Sequence, residues 1–433
     1  MEESLCMKQK ILDEVDNFSK ELVELCRQLV HINTVNPYSG DATASLEKDG
    51  QLFLESILKD TGAHTKLFEP PPDIYERMGV LGPKNRNFKD RPNLVGELDF
   101  GGPGRRIILN GHMDTVGAAD MDFDPFAAEI KNGRIRGRGT SDCKGGLAVG
   151  LTAIKALLPF RDELCGSIVY ESVVDEECDG SGAGTLACVD TGYKGNAALF
   201  LDGKDAAITL GCYGCLTASI HVIGHSAHAA SGKGVSAIEK ALVVKRAIDQ
   251  LKAERESLYP EAKVNLGVFR AGAVPALVPG SAYLSMNIVY KLEEAMAAER
   301  PAGGYGAKGV QRRLTELVTR YEDEDEWLRE HRSRIEWVKD LIPFETPQET
   351  EIVQRMGEVY KTVLNQAPVL DRIVGWSDAS YYSRLARMPT FLFGPGNEET
   401  PHTPYEYVEI ENLINACKVI TLFLYRELKK TDG

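Results

Sequence analysis

The sequence predicts an α/β protein with a central mixed sheet flanked by helices, into which a smaller α+β domain is inserted. Strand and helix patterns alternate as far as residue 212, as they do in a sheet that helices cover on both faces. From residue 213 to 345 a few alternating strands and two helices replace this pattern. The α/β pattern then returns. We therefore predict one domain in two parts, 1–212 and 346–433, with a second domain at 213–345.

In the first part, apolar residues recur at steps of three and four between Ile11 and Leu29, which predicts an N-terminal helix. Residues 68–90 are rich in proline and charge and are predicted to form an irregular loop. Two predicted strands, Asn93–Phe100 and Arg106–Asn110, are joined by a glycine-rich turn that favours a hairpin. The other predicted elements are helix Gly145–Leu158 and strands Ser167–Val174 and Ala197–Leu201.

The inserted segment is predicted to form a small sheet with helices against it. Its predicted elements are strands Leu216–Ile223, Val264–Phe269, Ala282–Val289 and Arg334–Val338, and helices Val235–Leu251 and Val310–Glu330. The final part of the chain contains a glycine-rich run at Gly394–Gly396 between two predicted helices, Glu349–Leu364 and Ile410–Leu428.

Composition excludes several classes of protein. The formal net charge of −14 argues against a nucleic-acid or anionic-membrane partner. No run approaches the ~18 consecutive apolar residues of a membrane-spanning helix, and the N-terminus lacks the pattern of a signal peptide. Nine scattered cysteines, an odd number, do not suggest a disulfide framework. We expect a cytoplasmic enzyme.

Potential metal ligands follow predicted strands, where an α/β sheet places its active site. Taken alone, the segment around His112 is better explained as a polar loop after a buried strand, and Asp142 also fits a helix cap. Histidine and carboxylate ligands together suit zinc or a similar metal. Five such ligands are more than the four that one structural zinc takes, and this number favours two metals sharing a bridging carboxylate. The candidate groups are His112, Asp142, Glu176, Glu177, Asp202 and His402.

Two of these segments also suggest supporting roles. Asp114 lies two residues after His112 and is placed to accept the second ring N–H of that histidine. Glu176 and Glu177 are adjacent, so on an extended backbone they point to opposite sides. One of the two glutamates can then bind metal while the other transfers a proton.

Five motifs carry a specific resemblance. They are GHMDTV (111–116), GRGTSDCKGG (137–146), VVDEE (173–177), GHSAH (224–228) and FGPGNEETPHTPYEYVEIENL (393–413). In this order and approximate spacing they resemble the co-catalytic zinc family of aminoacylase, acetylornithine deacetylase, succinyl-diaminopimelate desuccinylase and carboxypeptidase G. The resemblance implies a zinc exopeptidase-like catalytic domain with an inserted lid or dimerisation domain, and two Zn²⁺ per chain, with Co²⁺ or Mn²⁺ as alternatives.

The resemblance also assigns roles to individual residues. His112, Asp142 and Asp202 match the ligands of one zinc, with Asp142 bridging, and Glu177 and His402 match the ligands of the other. Relatives have a cis peptide bond after the residue that matches Asp142. The remaining matches are Glu176 to the general base, Asp114 to the residue that orients a ligand, and His228 to a lid histidine that stabilises the oxyanion, often from the partner subunit of a homodimer.

The substrate is less sharply indicated. Relatives often bind a substrate carboxylate with a lid asparagine and a lid arginine, whose places are taken here by Ala276 and Val289. Either Arg270 or Lys291 replaces them, or the substrate lacks that carboxylate. We expect deacylation of an N-acyl amino acid or related N-acyl amine. The alternatives are a dipeptidase or carboxypeptidase acting on a short peptide, which Asp202 favours, and a catalytically inactive metal-binding protein.

Overall fold

The computed structural model describes residues 2–178, 180–261, 263–297 and 306–430. Helices make up much of these ranges. They are α1 (Glu2–His31), α2 (Lys48–Asp60), α3 (Ile74–Arg77), α4 (Gly145–Leu157), α5 (Ala183–Thr191), α6 (Ala237–Leu258), α7 (Leu292–Ala297), α8 (Lys308–Asp323), α9 (Glu326–Glu330), α10 (Glu351–Leu364), α11 (Ala379–Arg384) and α12 (Ile410–Leu428).

In the same described ranges, the strands belong to one large sheet and three smaller ones. They are β1 (His64–Phe68), β2 (Asn93–Gly101), β3 (Arg106–His112), β4 (Glu129–Lys131), β5 (Arg134–Arg136), β6 (Gly166–Val173), β7 (Ala197–Phe200), β8 (Ile208–Cys212), β9 (Gly214–Ile223), β10 (Ala227–His228), β11 (Val264–Ala271), β12 (Leu277–Val278), β13 (Ser281–Tyr290), β14 (Arg334–Leu341), β15 (Phe344–Glu345), β16 (Leu370–Ile373), β17 (Thr390–Leu392) and β18 (Tyr407–Glu409).

The large sheet has the order β1-β2-β6-β3-β7-β17-β8-β15, with β16 paired to β8. Its centre is parallel, because β6, β3, β7 and β17 all run in one direction. The outer pairs β1–β2 and β8–β15 are antiparallel. The carboxyl ends of the four central strands therefore meet at one edge, where a mixed sheet of this kind places its functional residues.

Helices cover both faces of this sheet. On one face α1, α4, α10 and α12 bury the larger core, which includes Leu109, Leu151 and Phe423. On the other face α5 and α11 bury a second core around Ile108, Phe200 and Tyr382. The predicted fold class, a central mixed sheet flanked by helices, is confirmed.

A four-stranded antiparallel sheet is built from residues 214–341 in the order β11-β13-β9-β14. Alternate residues such as Leu216, Leu284 and Ile288 point to one face and form a third core with α6 and α8. The intervening residues leave the opposite face polar. The predicted helix Val310–Glu330 is in fact two helices, because Asp325 accepts hydrogen bonds from two backbone N–H groups and begins α9.

The predicted hairpin between β2 and β3 is wrong, although both strands exist. Strand β6 lies between them, antiparallel to β2 and parallel to β3. The glycine-rich turn only reverses the chain. A third strand, distant in sequence, then pairs with both, which local turn chemistry cannot reveal.

One apolar helical stretch, Thr140–Glu163, is long enough to cross a membrane. Its most apolar window is 78% buried inside the structure. The stretch contains α4, which packs between α1 and α12 in the larger core. It is therefore explained as a core helix of the fold.

Candidate metal centre

The central strands bring the candidate ligands together. His112 is the last residue of β3, Glu177 follows β6 and Asp202 follows β7. The Nε2 atom of His112 lies 3.0 Å from Oδ1 of Asp142, which is held in the irregular turn before α4. Ligand atoms of His112, Asp142 and Glu177 all lie within 4.8 Å of one another.

The fifth candidate ligand arrives from the far end of the chain. His402 lies in the loop before β18, and its Nε2 atom is 3.0 Å from Oε1 of Glu177 and 3.5 Å from Oδ2 of Asp142. The hydrogen bond to Glu177 raises the pKa of His402 to about 9. Asp142 is therefore close to both histidines, as a bridging ligand must be. The Asp142–Cys143 peptide bond is cis.

This set of groups fits divalent cations. Oδ1 of Asp202 is buried and has no hydrogen-bond partner within the part of the chain that the structure describes. Burial raises the pKa of Asp202 to about 7 and also raises the pKa of Glu177. Repulsion among the crowded carboxylates acts in the same direction. A bound cation would satisfy the orphaned oxygen and offset the repulsion among the carboxylates. Two imidazoles and three carboxylates are ligands that zinc accepts.

Asp114 contacts its surroundings through different atoms than predicted. Nδ1 of His112 is 2.9 Å from the backbone carbonyl oxygen of Asp114, whereas the Asp114 carboxylate is 3.9 Å away. That carboxylate instead accepts hydrogen bonds from the backbone N–H groups of Glu176 and Glu177 and from the side chain of Asn36. Asp114 thus fixes the ring of His112 and the backbone of the two glutamates together.

Three supporting residues escaped sequence analysis. Glu406, fully buried, accepts from the backbone N–H groups of Ser141 and Asp142 and pairs with buried Arg138. Asn36 supports Asp114, and Lys204 lies 3.2 Å from Asp142. Glu406 falls within the matched motif four residues after His402, which is the signal that could have identified it. Asn36 lies far from every motif.

Glu176 faces a cleft of about 590 Å³ between the large sheet and the polar face of the four-stranded sheet. Its carboxylate makes no hydrogen bond to any described residue, in contrast to that of Glu177. Burial raises the pKa of Glu176 well above its ordinary value, with added repulsion from Glu177. A carboxylate held beside the cluster, open to the cleft and inclined to accept protons, is suited to proton transfer.

His228 lies apart from the cluster. It is exposed on the two-residue strand β10, and its Nδ1 accepts from the backbone N–H of Ala230. His228, Arg270 and Lys291 are not among the described residues that line the cleft. Lys291 instead pairs with Glu261.

Comparison with known proteins assigns the chain to a family. The model of peptidase family M20/M25/M40 matches residues 108–426, which contain every candidate ligand. The chain belongs to this family. An N-formyl-4-amino-5-aminomethyl-2-methylpyrimidine deformylase of Halalkalibacterium halodurans is 27% identical, with 97% of each chain covered. A succinyl-diaminopimelate desuccinylase of Vesicomyosocius okutanii is 27% identical over 71% of this chain and 80% of its own.

The fold is also shared with solved structures. A tripeptidase of Staphylococcus aureus superposes with a TM-score of 0.70 at 19% identity, covering 94% of this chain and 97% of its own. Membership of the M20/M25/M40 family confirms the resemblance drawn from the motifs. It also confirms the predicted activity, metal-dependent hydrolysis of amide bonds.

Proposed function

We propose that this M20-family protein removes the acyl group from an N-acyl amine, using two zinc ions per chain. The observation that carries the proposal is the convergence of His112, Asp142 and Glu177 within 4.8 Å beside the orphaned oxygen of Asp202. His112, Asp142 and Asp202 would hold one ion, and Asp142, Glu177 and His402 the other. Co²⁺ and Mn²⁺ prefer similar ligands.

The proposed mechanism assigns a step to each of the remaining groups. When bound, the ions act as Lewis acids that polarise the amide carbonyl and make water nucleophilic near neutral pH. Glu176 takes a proton from the attacking water and later delivers it to the leaving amine nitrogen. Asp114 keeps His112 and the Glu176–Glu177 backbone in place. His228 donates a hydrogen bond to the oxygen that becomes negative.

His228 performs this step from a second copy of the chain in the assembly that we propose. Residues 213–345 form the lid and dimerisation domain in this proposal, and residues 1–212 with 346–433 form the catalytic domain. The shared active site is supported by the exposed position of His228, which is not among the described residues that line the cleft of its own chain. We further propose a cytoplasmic location, since none of the nine cysteines, all of which lie within the described residues, forms a disulfide in this fold.

Deacylation is favoured over peptide hydrolysis because the two relatives that are 27% identical to this chain are a deformylase and a desuccinylase. The runner-up is a peptidase acting on short peptides. It is favoured by Asp202, because family resemblance associates aspartate at this position with several di- and tripeptidases.

A substrate panel tests the proposal. The zinc-loaded protein should hydrolyse at least one member of a set of N-formyl, N-acetyl and N-succinyl amines faster than any di- or tripeptide. Elemental analysis should find about two divalent ions per chain, and a chelator should abolish turnover until zinc is restored. Faster cleavage of peptides would favour the peptidase, and full activity without metal would refute the mechanism.

A further inference from the structure

Trp376 lines the same cleft as Glu176. It is the one tryptophan, tyrosine or phenylalanine among the described residues that line this cavity. Trp376 lies in the loop between β16 and α11, and its ring is partly buried against the second core. Part of the indole is therefore accessible from the cleft.

Three contacts hold the ring of Trp376 in one orientation. Its Nε1 atom donates a hydrogen bond to the carbonyl oxygen of Ile342 at 3.0 Å. The ring of Tyr381 packs against it at an angle of 69°, with the ring centroids 5.8 Å apart. A Cβ atom on Gly182 would lie 3.2 Å from Cη2 of Trp376, so glycine lets the indole lie close to the backbone. A ring fixed in this way loses little conformational entropy when a ligand packs on it.

The indole reaches the segment that follows the two glutamates. Gly180 lies between Glu177 and Gly182 in the chain and also lines the cleft. In the proposed mechanism Glu176 delivers a proton to the leaving nitrogen, so the amine half of the substrate lies on the cleft side of the candidate metal centre. Trp376 is therefore placed to contact the amine half.

The cleft suits a flat ring better than an alkyl chain. The face of an indole stacks on another π-system with a directional preference that an alkyl chain does not share. Amide and hydroxyl groups form hydrogen bonds with nitrogen or amino groups in the plane of such a ring. The neutral polar side chains that line the cleft are those of Thr217, Ser285, Asn265 and Asn287.

We propose that Trp376 stacks on a planar aromatic or heteroaromatic ring carried by the amine half of the substrate. The proposal deepens the proposed function, on which it rests. It names the substrate class as N-acyl amines with a flat ring close to the amide nitrogen, such as N-acyl arylmethylamines. Trp376 is then a specificity-determining residue, and the chemistry at the amide stays with Glu176 and the metal ligands.

Paired substrates test the stacking. They are benzylamine and cyclohexylmethylamine, each carrying the acyl group that the zinc-loaded protein removes fastest. A merely apolar pocket would favour the saturated ring, which has the larger apolar surface. We expect the wild type to favour the benzyl compound in kcat/KM by at least about threefold. Trp376→Leu should raise KM about 3- to 10-fold more for the benzyl compound than for the cyclohexyl compound, and Trp376→Phe should keep most of the preference.

Trp327→Leu is the matched control. The Nε1 atom of Trp327 also donates to a backbone carbonyl, that of Ile223 at 2.9 Å, but Trp327 is not among the described residues that line the cleft. This variant should change neither KM. Equal losses for both substrates with Trp376→Leu, or no loss for either, would overturn the stacking. Wild-type preference for the cyclohexyl compound would overturn the substrate class.

A binding measurement separates this proposal from the proposed function. Calorimetry on zinc-loaded Glu176→Gln protein should show N-formylbenzylamine binding about 3- to 10-fold more weakly once Trp376→Leu is added. If the wild type hydrolyses no amide of the panel, the proposed function fails while this comparison still decides whether Trp376 binds the ring. Equal affinity with and without Trp376, or no binding of N-formylbenzylamine, would overturn the role of Trp376 alone.

Fluorescence gives a second measurement that does not depend on the leucine variant. The chain has three tryptophans, and a nitroaromatic ring quenches the emission of an indole that it contacts. N-formyl-4-nitrobenzylamine should quench part of the emission of zinc-loaded Glu176→Gln protein in a saturable way. Adding the conservative change Trp376→Phe should remove that saturable part. Saturable quenching that persists without Trp376 would place the ring elsewhere.

Discussion

At the scale of single residues, Glu176 and Glu177 differ because their surroundings differ. The Glu177 carboxylate is almost fully buried and contacts His402. The Glu176 carboxylate points into the cleft without a hydrogen-bond partner among the described residues. The carboxylate of Asp114 accepts hydrogen bonds from the backbone N–H groups of both glutamates, so it fixes the backbone of the two residues together.

Glu176→Gln should therefore separate metal binding from turnover. The amide retains the size of the side chain but cannot take a proton, so kcat should fall by roughly two to four orders of magnitude. Elemental analysis should still find the wild-type amount of metal. Glu399→Gln, an exposed glutamate near His402, is the control and should keep full activity. Turnover close to that of the wild type in Glu176→Gln would place the base elsewhere.

Glu406 supports the turn that carries Asp142. Its carboxylate holds the backbone of Ser141 and Asp142 and neutralises Arg138, and both members of the ion pair are 1% exposed. Removal of one charge from a buried pair leaves the other uncompensated.

Glu406→Gln should lower the free energy of unfolding by about 3 kcal/mol and weaken zinc binding roughly 10- to 100-fold. Chemical denaturation and metal titration measure the two effects. Glu409→Gln, three residues later, breaks the exposed pair with Arg134 and should cost less than about 1 kcal/mol with no change in zinc affinity. Equal effects of the two variants would contradict the supporting role of Glu406.

At the scale of elements, α4 joins the metal centre to the larger core. It begins directly after the turn that carries Asp142, and its glycines let the helix approach the end of β7. A Cβ atom on Gly146 would lie 2.2 Å from the backbone oxygen of Leu201, the residue before Asp202. Glycine is required there by close approach rather than by backbone conformation.

Gly146→Ala should therefore destabilise the protein by at least about 1 kcal/mol and displace Asp202, which weakens zinc binding. The matched change is Gly357→Ala in α10, where a Cβ atom would meet only Pro368 at 3.4 Å. That change should stabilise the protein by about 0.5–1 kcal/mol, since alanine favours helices. Thermal unfolding measures both. A stabilising Gly146→Ala would show that the helix can move away from the strand.

Elements were predictable where local pattern decides them. Helix α12 begins and ends where its apolar periodicity predicts, and β6 and β13 lie within a residue or two of their predicted bounds. Strand order was not predictable, since β6 pairs between β2 and β3 through contacts distant in sequence. The candidate ligands could be identified from motifs, whereas Asn36, which supports Asp114, lies far from every motif and has no local signal.

At the scale of the whole molecule, the four-stranded sheet offers edges at which a second chain would pair. Strands β9 and β13, whose apolar alternation was clear from sequence, are its two central strands. The edges are β11 and β14, and an open edge can pair with another chain. His228 lies on β10, which pairs only with the two-residue strand β12 among the described residues. Its exposure leaves it available to a neighbour.

Mixing two inactive variants tests whether active sites are shared. If His228 acts across the interface, as proposed, then in a two-fold dimer of His228→Ala and Glu176→Gln chains one site loses both groups and the other keeps both. Activity should therefore return on mixing, toward about a quarter of the wild-type value at equal amounts of the two chains if subunits exchange freely and randomly. Sedimentation or light scattering checks that dimers form and exchange. Dimers that exchange yet stay inactive at every ratio would show that His228 serves its own chain, and the shared site would be rejected.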